Sequence, residues 1–181
     1  MRFSSSSRLV AVASAAAVLA ACNPTFNWRE VPVGDAGVIV LLPCKPDRAT
    51  RQMPLGTEAV AVDMAGCKAG GATFAVAHAS ARDAAQAESW MRAWRAATLQ
   101  QLEGTPVAET PASLPRAASP SPAPVRLDTQ EPAGSGHAQA AHVLWFAQQR
   151  PDGMAVYQAT VVGSPSASDA LQTFFEGLRL P

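Results

Sequence analysis

The 181-residue chain carries 14 basic and 14 acidic side chains, and 48% of its residues are hydrophobic. That length supports one domain with a real core, and the balanced charge leaves no basic footprint for nucleic acid. Residues 1–21 read as a secretory signal. Arg2 and Arg8 flank a serine run, residues 9–18 are almost wholly apolar, and Leu19-Ala20-Ala21 places small residues before Cys22. The apolar stretch is about a dozen residues against the ~20 of a bilayer-spanning helix, so it is expected to be cleaved rather than to anchor.

Leu19-Ala20-Ala21-Cys22 resembles the bacterial lipobox, and with its flanks the chain resembles a precursor of a bacterial envelope lipoprotein. The resemblance implies cleavage before Cys22 and a diacylglycerol on its thiol, with palmitate-type acyl chains as the membrane anchor. Each buried methylene contributes ~0.8 kcal/mol, which makes such attachment effectively permanent. Asn23 stands where aspartate is the usual inner-membrane retention signal, which implies an outer-membrane protein facing the periplasm. The other reading is an ordinary secreted protein whose signal ends in Ala-Ala-Cys. Removal of residues 1–21 leaves 160 residues with a formal charge of −2.

Three cysteines are an odd number for an exported protein. Lipidation of Cys22 accounts for one and leaves Cys44 and Cys67 as a pair where disulfides persist. They are expected to bond to each other. The loop of about 22 residues contributes ~3 kcal/mol in the chain-entropy model.

Residues 22–33 read as a lipidated tether containing Asn27-Trp28-Arg29-Glu30, and residues 34–181 as one domain. Gly37-Val38-Ile39-Val40-Leu41-Leu42 is a β-branched apolar run stopped by Pro43, a buried-strand signature. Pro43-Cys44-Lys45-Pro46-Asp47 is a turn, and residues 48–55 suit an edge strand because Pro54 cannot donate to a ladder. Residues 58–64 alternate as a half-buried strand, residues 66–71 hold Cys67 among glycines in a hairpin connection, and residues 73–77 form the returning strand.

Ser80 or Asp83 caps a helix running to about Glu103 and closed by Gly104. Ala87, Met91, Trp94, Thr98 and Leu102 form one apolar stripe expected on the sheet, with Glu88, Arg92 and Arg95 in water. Residues 104–124 hold six prolines and read as an extended, semi-rigid loop. Strands are expected at 125–129, 138–148 and 154–162, the last two joined by the turn Arg150-Pro151-Asp152-Gly153. A final helix begins near Ser166 and carries Ala167, Leu171, Phe174, Phe175 and Leu178 on one side.

The predicted fold class is α+β: a single mainly antiparallel sheet with two helices packed on it. Val38 to Pro46, Ala72 to Ala77, the Trp90 and Trp94 helix, and Val156-Tyr157-Gln158-Ala159 with the Phe174-Phe175 helix give the chain a resemblance to PsbP-like and DcrB-like envelope domains. The same residues resemble a set of uncharacterised proteobacterial lipoproteins. These are markers of architecture and imply no catalytic residues.

The chemistry-bearing residues are sparse. His78, His137 and His142 show no metal-ligand spacing, and neither His-x-x-x-His nor Cys-x-x-Cys occurs. Gly134-Ser135-Gly136 lies in a loop without a nucleophile elbow, Gly66, Gly70 and Gly71 make no phosphate cradle, and the carboxylates are scattered singly. No metal or cofactor is expected. Trp94 and Trp145 are expected in the core, while Trp28 and Trp90 are the candidate binding surface. Near the lipid, Trp28 would rest either at the membrane interface or on the domain as a plug.

The functional expectation is a non-enzymatic accessory or binding module. It would be joined to membrane through lipid on Cys22 and would meet an envelope protein or small ligand at a strand edge or concave sheet face. One competing class is a thiol redox enzyme using Cys44 and Cys67. A second is a hydrophobic-ligand carrier, which needs an apolar cavity of roughly a few hundred Å³ between sheet and helices.

Overall fold

Alternating apolar side chains build most of this molecule, and the two faces they create are buried in different ways. The computed structural model describes residues 24–35, 37–102, 107–113, 118–129 and 140–181. The signal segment, Cys22, His137 and the Gly134-Ser135-Gly136 loop lie outside them.

Strands β1 (Arg29–Val33) and β2 (Val38–Leu42) form an antiparallel hairpin. The others are β3 (Asp47–Leu55), β4 (Glu58–Ala69), β5 (Ala72–Ala81), β6 (Val107–Pro111), β7 (Val125–Thr129), β8 (Ala141–Arg150) and β9 (Gly153–Val162). These seven pair antiparallel throughout, in the order β3-β4-β5-β9-β8-β7-β6. Helix α1 (Ala84–Gln101) follows β5 and α2 (Ala170–Glu176) follows β9. The mainly antiparallel α+β class is therefore as expected.

Because successive side chains on a strand point to opposite faces, β5, β8 and β9 feed two cores. Phe74, Val76, Leu144, Phe146, Tyr157, Ala159 and Val161 pack under the β1–β2 hairpin and α2, with Val31, Val33, Val40, Leu42 and Phe174 above them. Ala77, Ala79, Val143, Trp145 and Val156 face the other way and are covered by Ala87, Trp90, Met91 and Trp94 of α1. A large apolar side chain so buried contributes roughly 1.5–3 kcal/mol.

Helix α1 starts where the sequence places it. The Asp83 side chain accepts from Gln86 N–H at 2.8 Å, and Gln86 Oε1 accepts from Arg82 N–H at 2.9 Å, so both exchanges satisfy backbone donors at the helix start. Of its expected water-facing residues, Glu88 and Arg92 form an exposed i,i+4 pair at 3.0 Å. Arg95 instead reaches Glu109 on β6 at 2.9 Å.

Several expectations are corrected. The segment read as tether becomes a strand at Arg29, because Val31 and Val33 alternate as buried residues and cap the aromatic face. The single expected sheet is accompanied by the separate β1–β2 hairpin, and the two helices serve opposite faces. Cys67 lies inside β4 rather than in the connection, which is the turn at Gly70 and Gly71 with φ of 55° and 84°. Within the proline-rich stretch, Val107–Pro111 forms edge strand β6 on β7. Proline is tolerated at such an edge, where no further strand needs its missing N–H. The last helix begins at Ala170, four residues later than expected.

Candidate functional site

Residues with candidate roles scatter over the fold. Cys44 and Cys67 are bonded, with Cα atoms 5.9 Å apart, tying the exit of β2 to β4. Cys67 is buried and Cys44 half-buried. Trp28 is half-buried and folded onto the domain, its ring stacked on Phe26 at 6.0 Å and edge-on to Phe74 at 6.0 Å. Trp90, a candidate for the binding surface, is only 5% exposed. It belongs to the core because Glu58, at the start of β4, accepts its indole N–H at 3.4 Å and also takes the Gln86 amide at 2.8 Å, which leaves the ring free to pack. Trp94 and Trp145 are core residues, as expected.

His142 is half-buried beside Asp128, its Nδ1 2.6 Å from Oδ1, and Arg126 approaches the same carboxylate at 2.8 Å. Burial opposes ionisation of Asp128, but the hydrogen bonds from Arg126 and His142 outweigh it and hold the carboxyl below its usual range. This triad sits on β7 and β8, far in register from His78. No group of three or more metal-ligating side chains occurs among the described residues.

The feature not expected from the sequence is a polar row crossing the hairpin-covered face. Strand register aligns Thr50, Asp63, His78, Tyr157 and Phe146 across β3, β4, β5, β9 and β8. The Thr50 hydroxyl donates to Asp63 at 2.6 Å. The rings of His78 and Tyr157 lie 5.1 Å apart, and Tyr157 stacks on Phe146 at 4.8 Å.

His78 is 3% exposed, and its Nδ1 meets no hydrogen-bond partner among the described residues; the same holds for the Tyr157 hydroxyl and Gln148 Oε1. Its Nε2 lies 3.5 Å from the Ser80 hydroxyl. Burial lowers the His78 pKa below 6.5 against the opposing charges of Asp63 and Asp35, and Arg150 lowers it further. Burial likewise raises the Tyr157 phenol. Both rings are therefore neutral near pH 7.

The turn between β1 and β2 closes over this row. Gly34, at φ 62°, lies so close that a side-chain carbon there would fall 2.2 Å from His78 Nδ1. Beside it opens a cleft of about 410 Å³, lined by Val33, Gly34, Asp35, Arg48, Thr50 and Asp63 among others. One Arg48 N–H donates to the Pro32 carbonyl at 2.8 Å, fixing that wall to the hairpin. The cleft lies over β3 and β4, and β3 is the edge strand, paired with β4 on one side only. Its lining offers two carboxylates, Asp35 and Asp63, and one guanidinium, Arg48, while His78 and Tyr157 stay buried beneath the neighbouring turn.

Period-two alternation could have flagged His78, since Phe74, Val76 and His78 share one strand face. The pairing that sets it between Asp63 and Tyr157 is not visible in the chain. No protein-family model and no curated protein matches the sequence. No described helix is long and apolar enough to cross a membrane.

Proposed function

We propose that the chain is a bacterial envelope lipoprotein held by lipid on Cys22, on the periplasmic side of the outer membrane. Its domain serves as a non-enzymatic accessory or binding module, akin in fold to PsbP-like and DcrB-like domains. The anchor rests on Leu19-Ala20-Ala21-Cys22 and the signal before it. The binding role rests on the cleft between the Gly34–Asp35 turn and the free edge of β3.

Strand β3 is nine residues long and mostly exposed, and its alternate residues turn backbone groups toward the unpaired side, where a strand can add, while Asp35 and Asp63 favour a basic side chain on that strand. The partner fitting this chemistry is an extended, basic segment of another envelope protein.

A photo-crosslinking side chain at position 52, exposed on the same strand face as Thr50, tests it in cells. The expected result is a discrete adduct that disappears with Asp63→Arg, whereas a crosslinker at position 92 on α1 gives none. Absence of any adduct at 52, or one indifferent to Asp63→Arg, removes the reading. Thiol redox chemistry is the competing class, and the Cys44→Ser/Cys67→Ser double variant separates the two: loss of stability with the adduct retained in the folded fraction favours the binding module.

A further inference from the structure

Phe26 is locked to the domain. Its ring fills the space over Gly70, where a side-chain carbon would fall 2.2 Å from Phe26 Cζ, and it stands edge-on to Phe74 at 6.4 Å. The next residue, Asn27, donates its N–H to the Pro43 carbonyl at 2.7 Å. The chain thus enters the fold at one end of the sheet, where the β4–β5 turn, the disulfide and the Ser166 N–H bonded to Gly70 at 2.8 Å come together. Four residue steps separate Cys22 from Phe26, which is at most about 14 Å of fully extended chain.

Resting on the lipid-anchored reading, we infer that the β4–β5 turn end, with Lys45 and Lys68, lies against the bilayer surface, and that the cleft faces away from it. Lys45 follows Cys44 and Lys68 follows Cys67, so both exposed lysines are adjacent to the disulfide at this end. Asp47, opposite Gly66 in register, and Arg29, bonded to the Asn27 carbonyl, stand near the same end. The short anchor supplies the apposition by raising the local concentration of this surface at the bilayer. From Ala72 to His78 on β5 is six residues, roughly 20 Å of strand. The near end of the cleft, at Arg48 paired with Ala65, is four residues short of Ala69, roughly 13 Å of strand from the turn, and the cleft extends away from it toward Asp63.

Lys45 and Lys68 are the only two lysines in the sequence, so side-chain amine labelling reads this surface alone. The full-length protein is expressed with its own signal and reconstituted into vesicles of phosphatidylethanolamine and phosphatidylglycerol. It is then treated with a membrane-impermeant amine reagent and mapped by peptide mass spectrometry. The comparison variant carries a flexible Gly/Ser insert of about 20 residues after Asn23, with an r.m.s. span of roughly 25 Å.

Accessible volume scales with the cube of the r.m.s. span, roughly 11 Å for four steps against roughly 27 Å for twenty-four, so labelling of both lysines should be about fifteenfold lower in the natural chain than in the insert variant. Equal labelling of two lipid-bearing proteins overturns the inference and leaves the anchor intact. The same spectra report the mass at Cys22, and an unmodified Cys22 overturns the anchor itself.

Discussion

The two faces of the seven-stranded sheet are covered by different means. On one, α1 follows β5 directly and lays Ala87, Met91 and Trp94 on the strands, with a capped start and a Glu58 carboxylate for its buried donors. On the other, the cover is assembled from the two ends of the chain. The β1–β2 hairpin meets the C-terminal segment through the reciprocal Ile39 and Arg179 backbone bonds at 2.9 and 2.8 Å and an Arg179–Glu30 ion pair. The disulfide then fastens β2 to β4. A cover local in sequence needs only periodicity, whereas one built from distant segments needs a clasp.

The strongest challenge to this contrast is Phe74→Ala, which removes the ring shared by Phe26, Trp28 and Phe174. A loss of about 3–5 kcal/mol is expected in denaturant unfolding. A change below about 1 kcal/mol would mean the hairpin does not depend on that ring. Next, Cys44→Ser/Cys67→Ser should cost ~3 kcal/mol. In hydrogen exchange, the variant should lose protection in β1 and β2 before α1. Uniform loss across both covers would erase the distinction between them.

Gly34→Ala introduces a carbon into the His78 ring and strains a left-handed backbone; the expected cost is about 1–3 kcal/mol. Its signature is increased exchange confined to the β1–β2 turn.

The α1 cover was legible because helix propensity, an aspartate cap and three-to-four spacing all lie within one stretch of chain. Trp90 on that helix reads as surface in the sequence because the acceptor that lets it be buried, Glu58, is 32 residues away. The hairpin face was half legible. Val38 to Leu42 announced a strand, but Arg29-Glu30-Val31-Pro32-Val33 is short and charged, and its partner is set by tertiary packing. The polar row was least legible, since Thr50, Asp63, His78 and Tyr157 become neighbours only through strand register.

The smallest expected effects concern charge. His78 has a folded pKa below 6.5, so between those two values the unfolded chain binds more protons than the native one. Stability therefore rises with pH through that window, is fully present above about 6.5, and is lost as pH falls. His78→Gln should flatten this slope, and an unchanged slope would assign it elsewhere. Asp128, whose pKa is depressed, acts at lower pH: its contribution is present above about 3.8 and lost in more acidic solution. Asp83→Ala should do least, fraying the first turn of α1 in hydrogen exchange without altering the hairpin.

The disulfide also bears on when the molecule acquires its final shape. Residues 24–45 contribute no strand to the seven-stranded sheet, so that sheet can assemble while its aromatic face still lacks a lid. Thiols stay reduced in the cytosol and oxidise after export. If the chain is exported as proposed, a precursor awaiting translocation lacks the ~3 kcal/mol of the clasp. The clasp then forms only in the compartment where the lipid is already in the membrane.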